Sequence, residues 1–398
     1  MLPDGTLAPA DEAGVIEAVK AARQAGEPLL VEGRGTKRGM LRPVQAARSL
    51  STRNLTGVTL HAPQELIVSA RAGTTIPDLE AKLAEGGQWI ISEPPDLSGL
   101  LGEGVQTIGG VVATNLSGPR RVAWGATRDH VMGLRFVNGA GELMRAGGRV
   151  LKNVTGLDMC KLLTGSHGTL GVITEVTLKV LPAAELTGSL VLPGVDAVRG
   201  VAALSAALGS PYGVSGAAWL PAEAADRVPE LAGQGAVALV RMEDFTASVH
   251  YRLGRLMTDL AAYGTPHLLD DTASRAAWRA VRDAVPLRAE PGDAVWRLSV
   301  RPSAGPAALD AVQDAGARGF LDWGGGLVWV AGAPDLHDAV AAAAGRGTWT
   351  VLRAPEPVRA AIRVVPPEAE ALARITRRVK AALDPSGILN PGRIYAGL

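Results

Sequence analysis

Two stretches of this chain carry residues able to hold a flat, anionic ligand. The first is Glu32-Gly33-Arg34-Gly35-Thr36-Lys37-Arg38-Gly39. Three cations stand there among glycines, and exposed backbone N–H groups in such a loop can pair with a pyrophosphate. A solvated basic turn has the same composition. The spacing G-x-G-x-x-x-G is one residue longer than the dinucleotide fingerprint and lacks the G-K-[ST] ending of a P-loop. Pro43 also comes too soon for the helix that should follow a glycine turn of that kind. The second stretch, Thr107 to Pro182, opens TIGGVVATNLSGP and closes GSHGTLGVITEVTLKVLP. Gly109, Gly110, Ala113, Ser117 and Gly118 are small enough for backbone to approach a ligand closely, and Asn115 is the one amide among them. The Gly165-Ser166-His167-Gly168-Thr169 turn leads into the alternation Val172, Thr174, Val176, Leu178, Val180, which reads as a strand. Taken as a ligand-hugging turn feeding a strand twice, the stretch is a cofactor cradle. Taken blandly, it is two tight turns in an α/β core.

These stretches need elements to position them. Val15, Ile16, Val19 and Ala22 predict an amphipathic helix with Asp11 as N-cap, Glu12 in the first turn and Gly26 as its stop. Pro28 to Val31 is a short buried strand that delivers the chain into the basic loop. A strand over 65–73 ends in a glycine turn, and a helix over 77–85 is stopped by Gly86-Gly87. Trp89 to Pro95 reads as extended. A strand over 131–137, an Asn138-Gly139 turn and a strand over 142–145 form a hairpin. Lys152 to Gly156 then leads to a helix begun by Asp158. From about 186 to 350, short strands alternate with Ala-rich helices, as expected of an α+β second domain. Within it, Asp322-Trp323-Gly324-Gly325-Gly326-Leu327-Val328-Trp329 reads as a bulged strand with core aromatics. A basic amphipathic helix over 368–383 precedes DPSGILNPGR, a fixed turn expected to dock elsewhere.

Composition narrows the function. With 398 residues the chain exceeds one ordinary core, and its net charge of +1 favours neither nucleic acid nor an anionic membrane surface. Cys160 is the single cysteine, so there is no internal disulfide and no chain-borne iron–sulfur cluster, which needs about four thiolates. No signal-like segment and no apolar run of roughly 18–20 residues is present, so the expected location is cytoplasmic.

In this order the segments EGRGTKRG, TIGGVVATNLSG, WGATRDHVMGLRFVNGAGEL, KNVTGLDMCKLLTGSHGTLGVITEVTLKVLP and DPSGILNPGR resemble the FAD-binding family of vanillyl-alcohol oxidase and the D-lactate and glycolate dehydrogenases. EPPDLSG, LSGPRR, LDWGGGLVWV and NPGRIY resemble more narrowly the FAD-binding subunits of bacterial glycolate oxidases. The resemblance implies an α+β fold: a PCMH-type FAD-binding domain over 1–183 with subdomains of about 1–60 and 61–183. An α+β cap over 184–350 follows, and a tail over 351–398 returns to the flavin domain. It places the pyrophosphate on Gly33, Arg34, Gly35, Thr36, Lys37 and Gly39. Thr107, Gly109, Gly110, Thr114 and Asn115 would line the diphosphate–ribityl and ring region, with Ser117 and Gly118 beside them. Gly171, Val172 and Ile173 would meet the adenine side or ribityl, and Asn390 and Arg393 the flavin edge or its docking.

Departures from the family pattern refine these expectations. The basic loop has no histidine for a covalent flavin bond, so FAD is expected to bind non-covalently. His167 replaces the usual Glu. The His-rich metal motif of the 2-hydroxy-acid dehydrogenases is missing, because the cap holds only His250, His267 and His337 at unsuitable spacings. No metal is therefore expected. Arg120, Arg121 and Arg128 are candidate forks for a substrate carboxylate, although such an arginine is more often a surface or structural one. His130 and His167 are the histidines nearest the cradle in sequence. The resemblance thus implies oxidation of a 2-hydroxy acid such as glycolate, with a second FAD subunit and a cysteine-rich iron–sulfur subunit as partners, and membrane association only through those partners. A scaffold that kept the fold without chemistry, and a stand-alone alcohol or sugar oxidase, remain alternatives.

Overall fold

Asp11 opens the first helix, its side chain accepting from the Gly14 N–H at 2.9 Å. The helix runs Glu12–Ala25 and stops at Gly26 in the left-handed region. It buries Val15, Val19 and Ala22 against Leu29, Leu50, Leu55, Val137 and Val172, as its spacing predicts. Described here is a computed structural model covering residues 5–148 and 157–398. The Lys152–Gly156 segment singled out from sequence lies outside these described residues. Beyond it, Asp158 caps the helix Met159–Leu163.

Three sheets follow from the strand patterns. A small parallel sheet takes the order Thr6–Leu7, Arg48–Ser51, Leu29–Glu32. A six-stranded antiparallel sheet is centred on Val172–Pro182, which pairs with Ile67–Arg71 and Val131–Val137 on its two sides. Val58–Ala62 and Leu143–Gly147 form its edges, and Gln88–Ile90 joins the far end of the central strand. The third sheet is antiparallel throughout, eight strands from His267–Leu269 to Thr348–Arg353. Its last strand straddles residue 350, because Thr348–Arg353 pairs along Ala294–Ser299. The cap sheet thus runs past residue 350, where the resemblance put the end of the cap. Likewise Val58–Ala62 carries the second sheet across residue 60.

Two local expectations are corrected. The TIGGVVATN stretch is a helix, Ile108–Thr114, and feeds no strand. Thr107 caps it by accepting from the Gly110 N–H at 3.3 Å, and its glycines let it lie on the strand ahead of it. A Cβ on Gly109 would come within 2.8 Å of the Ala72 carbonyl, so the small residues serve helix–sheet contact as well as the cleft. The Trp323 glycine run is a hairpin corner, not a bulged strand. Trp323, Gly324 and Gly325 all take positive φ, between Arg318–Asp322 and Leu327–Gly332, which pair antiparallel. Glu93 also leaves the extended conformation, with φ of 46°.

The tail closes the structure. Helix Glu370–Leu383 ends at Asp384. Ile388 and Leu389 then enter the core of the first helix, and Leu389 bridges to Leu29 in parallel. Lys380 organises this turn by donating to the carbonyls of Thr169 and Leu389 and to Asp384.

Candidate functional site

A half-open cleft with about 740 Å³ of empty volume lies between the small parallel sheet and the six-stranded sheet. Along one wall runs the loop Gly33, Arg34, Gly35, Thr36, Lys37 and Arg38. Thr107, Gly109, Gly110, Ala113 and Thr114 form the floor, and Gly171 and Ile173 the opposite wall. His167, Gly168, Asn390 and Arg393 close one end. Two segments far apart in sequence therefore meet, as the motifs require. They can meet only because the wall and floor touch closely. A Cβ on Gly33 would lie 2.5 Å from the Thr107 hydroxyl, so no other residue fits there without displacing the helix cap.

The loop's donors fit an anionic ligand. Among the described residues, the backbone N–H groups of Arg34, Gly35, Thr36 and Lys37 have no acceptor, whereas Arg38 and Met40 bond back to Gly35 and Lys37. Consecutive open N–H groups of this kind form an anion-binding concavity. Lys37 adds a cation: its ammonium donates to Gln106 at 2.9 Å, and burial lowers its pKa to about 8. Arg393 lies behind the loop, donating to the carbonyls of Lys37, Arg38 and Arg42. Burial, with Arg359 nearby, holds its pKa down to about 10. It makes no ion pair with a described residue, so it holds the loop in shape and lends it positive potential. Arg38 is neutralised by Glu32.

Asn390 ties the tail to both walls. Its Oδ1 accepts from the Val31 N–H, and its Nδ2 donates to the carbonyls of Val31 and His167. The His167 side chain lines the cleft, and burial together with Arg393 pushes its pKa down to about 3. It is neutral at physiological pH.

Five expected cofactor residues lie off the cleft lining. Gly39 sits beneath Leu101, and Val172 is in the core. Asn115 ends the helix in the left-handed region, its side chain accepting from Arg128 N–H. Ser117 bonds to Thr127 at 2.9 Å. Gly118 packs so tightly that a Cβ would fall 2.2 Å from the Glu93 carbonyl. In this loop the small residues serve chain packing.

The catalytic candidates fare differently. Arg120 is not a free fork, for it makes a buried bidentate pair with Glu243 at 3.0 and 2.8 Å and stacks on Trp89. Arg128 is exposed, 3.9 Å from Asp129. His130 is buried outside the cleft, with Nε2 unpartnered among the described residues, and burial lowers its pKa. Arg121 lies on the Trp323 ring at 4.5 Å. Sequence reasoning missed the charged cluster to which Arg120 belongs. Arg241, on the cap strand Val237–Asp244, pairs bidentately with Glu93 at 2.8 Å and also meets Glu243 at 3.2 Å. Burial alone would raise the Glu93 pKa, but Arg241 and Arg120 hold it down to about 2. An apolar strand pattern around Arg241 and Glu243 was the one available signal, since such residues are buried only when paired. Among the described residues no group of His, Cys, Asp and Glu could hold a metal, and no helix is long and apolar enough to cross a membrane.

Two α+β lobes around a cleft with open N–H donors, with an antiparallel cap beside them, are the layout of the PCMH-type flavoprotein fold. Residues 3–147 match the family described as FAD binding domain, and residues 368–394 match the C-terminal domain of FAD linked oxidases. The chain is 31% identical to the glycolate oxidase subunit GlcE of Escherichia coli over 96% of its own length and 97% of that protein. It is 29% identical to glycolate oxidase subunit GlcD of Bacillus subtilis over 48% of this chain and 39% of that one. The fold aligns with p-cresol methylhydroxylase at a TM-score of 0.74 and 13% identity, covering 98% of this chain and 88% of that one. The chain belongs to the FAD-linked oxidase family that includes the glycolate oxidase subunits, and its cofactor is FAD.

Proposed function

We propose that this chain is the FAD-binding subunit of a complex that oxidises a small 2-hydroxy acid, with glycolate converted to glyoxylate. The reading is carried by the acceptor-free loop Arg34–Lys37 in a chain that matches a glycolate oxidase subunit end to end. Non-covalent binding follows from a cleft-wall loop without histidine. When bound, FAD supplies the two-electron oxidation of a CH–OH group and passes the electrons onward. The residues supply position. The loop N–H groups and Lys37 would hold the pyrophosphate, and Arg393 and Asn390 would keep the loop and the His167 turn in register. Gly110 and Ala113 would leave a flat floor for the cofactor, and Gly171 an unobstructed wall.

Electrons would leave to a second subunit. Cys160 is the single cysteine, is buried, and has its pKa raised to about 11 by burial, so cluster thiolates must come from a cysteine-rich partner. The likeness to both GlcE and GlcD supports a second flavin subunit beside it. A cytoplasmic location, and membrane contact through those partners alone, belong to the same reading.

The absorbance spectrum of the purified chain tests it, recorded before and after anaerobic addition of glycolate. Flavin bands that bleach with glycolate place the oxidation in this chain. Flavin bands that persist assign that step to the second flavin subunit. No flavin after reconstitution with FAD sinks the reading.

A further inference from the structure

In the charged cluster between the flavin lobe and the cap, most arginines have a carboxylate: Arg120 has Glu243, Arg241 has Glu93, and Arg282 has Asp283. Two do not. Arg297, on the cap strand Ala294–Ser299, and Arg121, from the flavin lobe, make no ion pair with any described residue. They share one indole, with guanidinium carbons 5.0 and 4.5 Å from the centre of the Trp323 ring. Trp323 is fixed across the lobes by its Nε1, which donates to the Gly118 carbonyl at 3.1 Å. Arg297 stands directly opposite Trp329 on the neighbouring strand and lies 5.0 Å from that ring as well.

The donors around this spot are orphaned. The Arg297 Nε and the Trp329 Nε1 are both buried, and neither has a hydrogen-bond partner among the described residues. Buried donors left unmade are costly and uncommon, and so is a buried cation without a counter-ion. Burial and the neighbouring Arg121 push the Arg297 guanidinium down to about 10. Asp322, the acid near Arg297, accepts from the Trp323 N–H at 2.7 Å, and burial raises its pKa to about 7. A guanidinium with a buried, unpaired Nε–H, the unpaired Trp329 N–H and a second, exposed guanidinium thus stand around the Trp323 and Trp329 indoles without an ion-pair partner among the described residues.

We propose that Arg121, Arg297 and Trp329, with Trp323 as a wall, form a receptor for a small carboxylate held between the flavin lobe and the cap. A planar guanidinium fork takes a planar carboxylate through two parallel N–H bonds, and the Trp329 N–H is placed as an additional donor. The choice of carboxylate over other anions rests on the 2-hydroxy-acid reading above. Arg121, at the solvent-facing side, provides the entry. The site lies apart from the pyrophosphate cleft but adjoins it in the chain, since Gly118 follows the floor helix Ile108–Thr114 by a few residues.

Calorimetric titration of the full chain with oxalate, which is not oxidised as an alcohol, tests this directly. Saturable binding is expected, with or without FAD loaded. Arg297→Gln should weaken it at least about tenfold, Arg297→Lys less, because charge remains without the fork. Trp329→Phe keeps an aromatic side chain while deleting the N–H, and a weakening of about threefold or more is expected. Circular dichroism of each variant verifies the fold. Absence of oxalate binding to the wild-type chain, variants that bind as tightly as wild type, or equal affinity for inorganic phosphate each overturn the proposal. Oxalate binding by a chain that takes up no FAD would sustain the carboxylate receptor while sinking the flavoenzyme reading.

Discussion

The Asn390 side chain satisfies both backbone groups of Val31, accepting from its N–H at 2.7 Å and donating to its carbonyl at 3.0 Å. This is what a strand neighbour would do, performed by one amide from the far end of the chain. The same Nδ2 reaches the His167 carbonyl at 2.7 Å, so one residue registers the loop strand, the His167 turn and the tail. Asn390→Ala would leave these buried groups unpaired and cost about 2–4 kcal/mol. Urea denaturation should show that loss, and FAD retention on gel filtration should fall with it. A variant that keeps both unchanged would refute the clamp.

Lys37 gives a pH signature. Burial holds its pKa at about 8, so the ammonium charge that favours a pyrophosphate is lost as pH rises through that value. FAD affinity of the stripped chain should therefore fall between about pH 7 and pH 9. Lys37→Met should bind about tenfold more weakly at neutral pH and lose this dependence. Fluorescence titration of FAD at a series of pH values measures both.

Glu93 gives the opposite signature. Its folded pKa of about 2 lies below the ordinary 4.5 because Arg241 and Arg120 outweigh burial. Its contribution is present above the unfolded value and lost as pH falls from about 4.5 towards 2. Glu93→Gln leaves Arg241 with only Glu243 and should cost about 3 kcal/mol at neutral pH. The deficit should shrink in acid. Denaturant midpoints across that range report it.

Asp322 runs the other way. Burial raises its carboxyl from 3.8 to about 7, so the folded chain keeps a proton that the unfolded chain has released. Stability from this group therefore falls as pH rises through that interval. Asn at this position can still accept from the Trp323 N–H. Asp322→Asn should thus raise the melting temperature at about pH 8 and raise it less at about pH 5. Equal shifts at both pH values would contradict the assignment.

Local signals determined much of this protein. Asp11 and Gly26 bracket the first helix because a carboxylate acceptor and a left-handed stop act within a single turn. The period-two run Val172 to Val180 became the central strand, since alternation in so long a segment leaves one reading. Gly33, Lys37, Gly110 and Asn390 were legible through spacing and resemblance, and the fold does bring them to one cleft. The tertiary structure alone decided what the small and charged residues between these motifs do. Ser117 and Gly118 look like cradle residues in sequence, but Thr127 takes the Ser117 hydroxyl and the close pass of the Glu93 backbone claims Gly118 for packing. Arg120 looks like a free fork, yet Glu243, 123 residues away, occupies it. Arg297 carries no local signal at all, because its place on the Trp323 ring beside Arg121 arises only when the cap sheet meets the flavin lobe. Pairing of buried charge depends on which distant strands come together, and no sequence period encodes that.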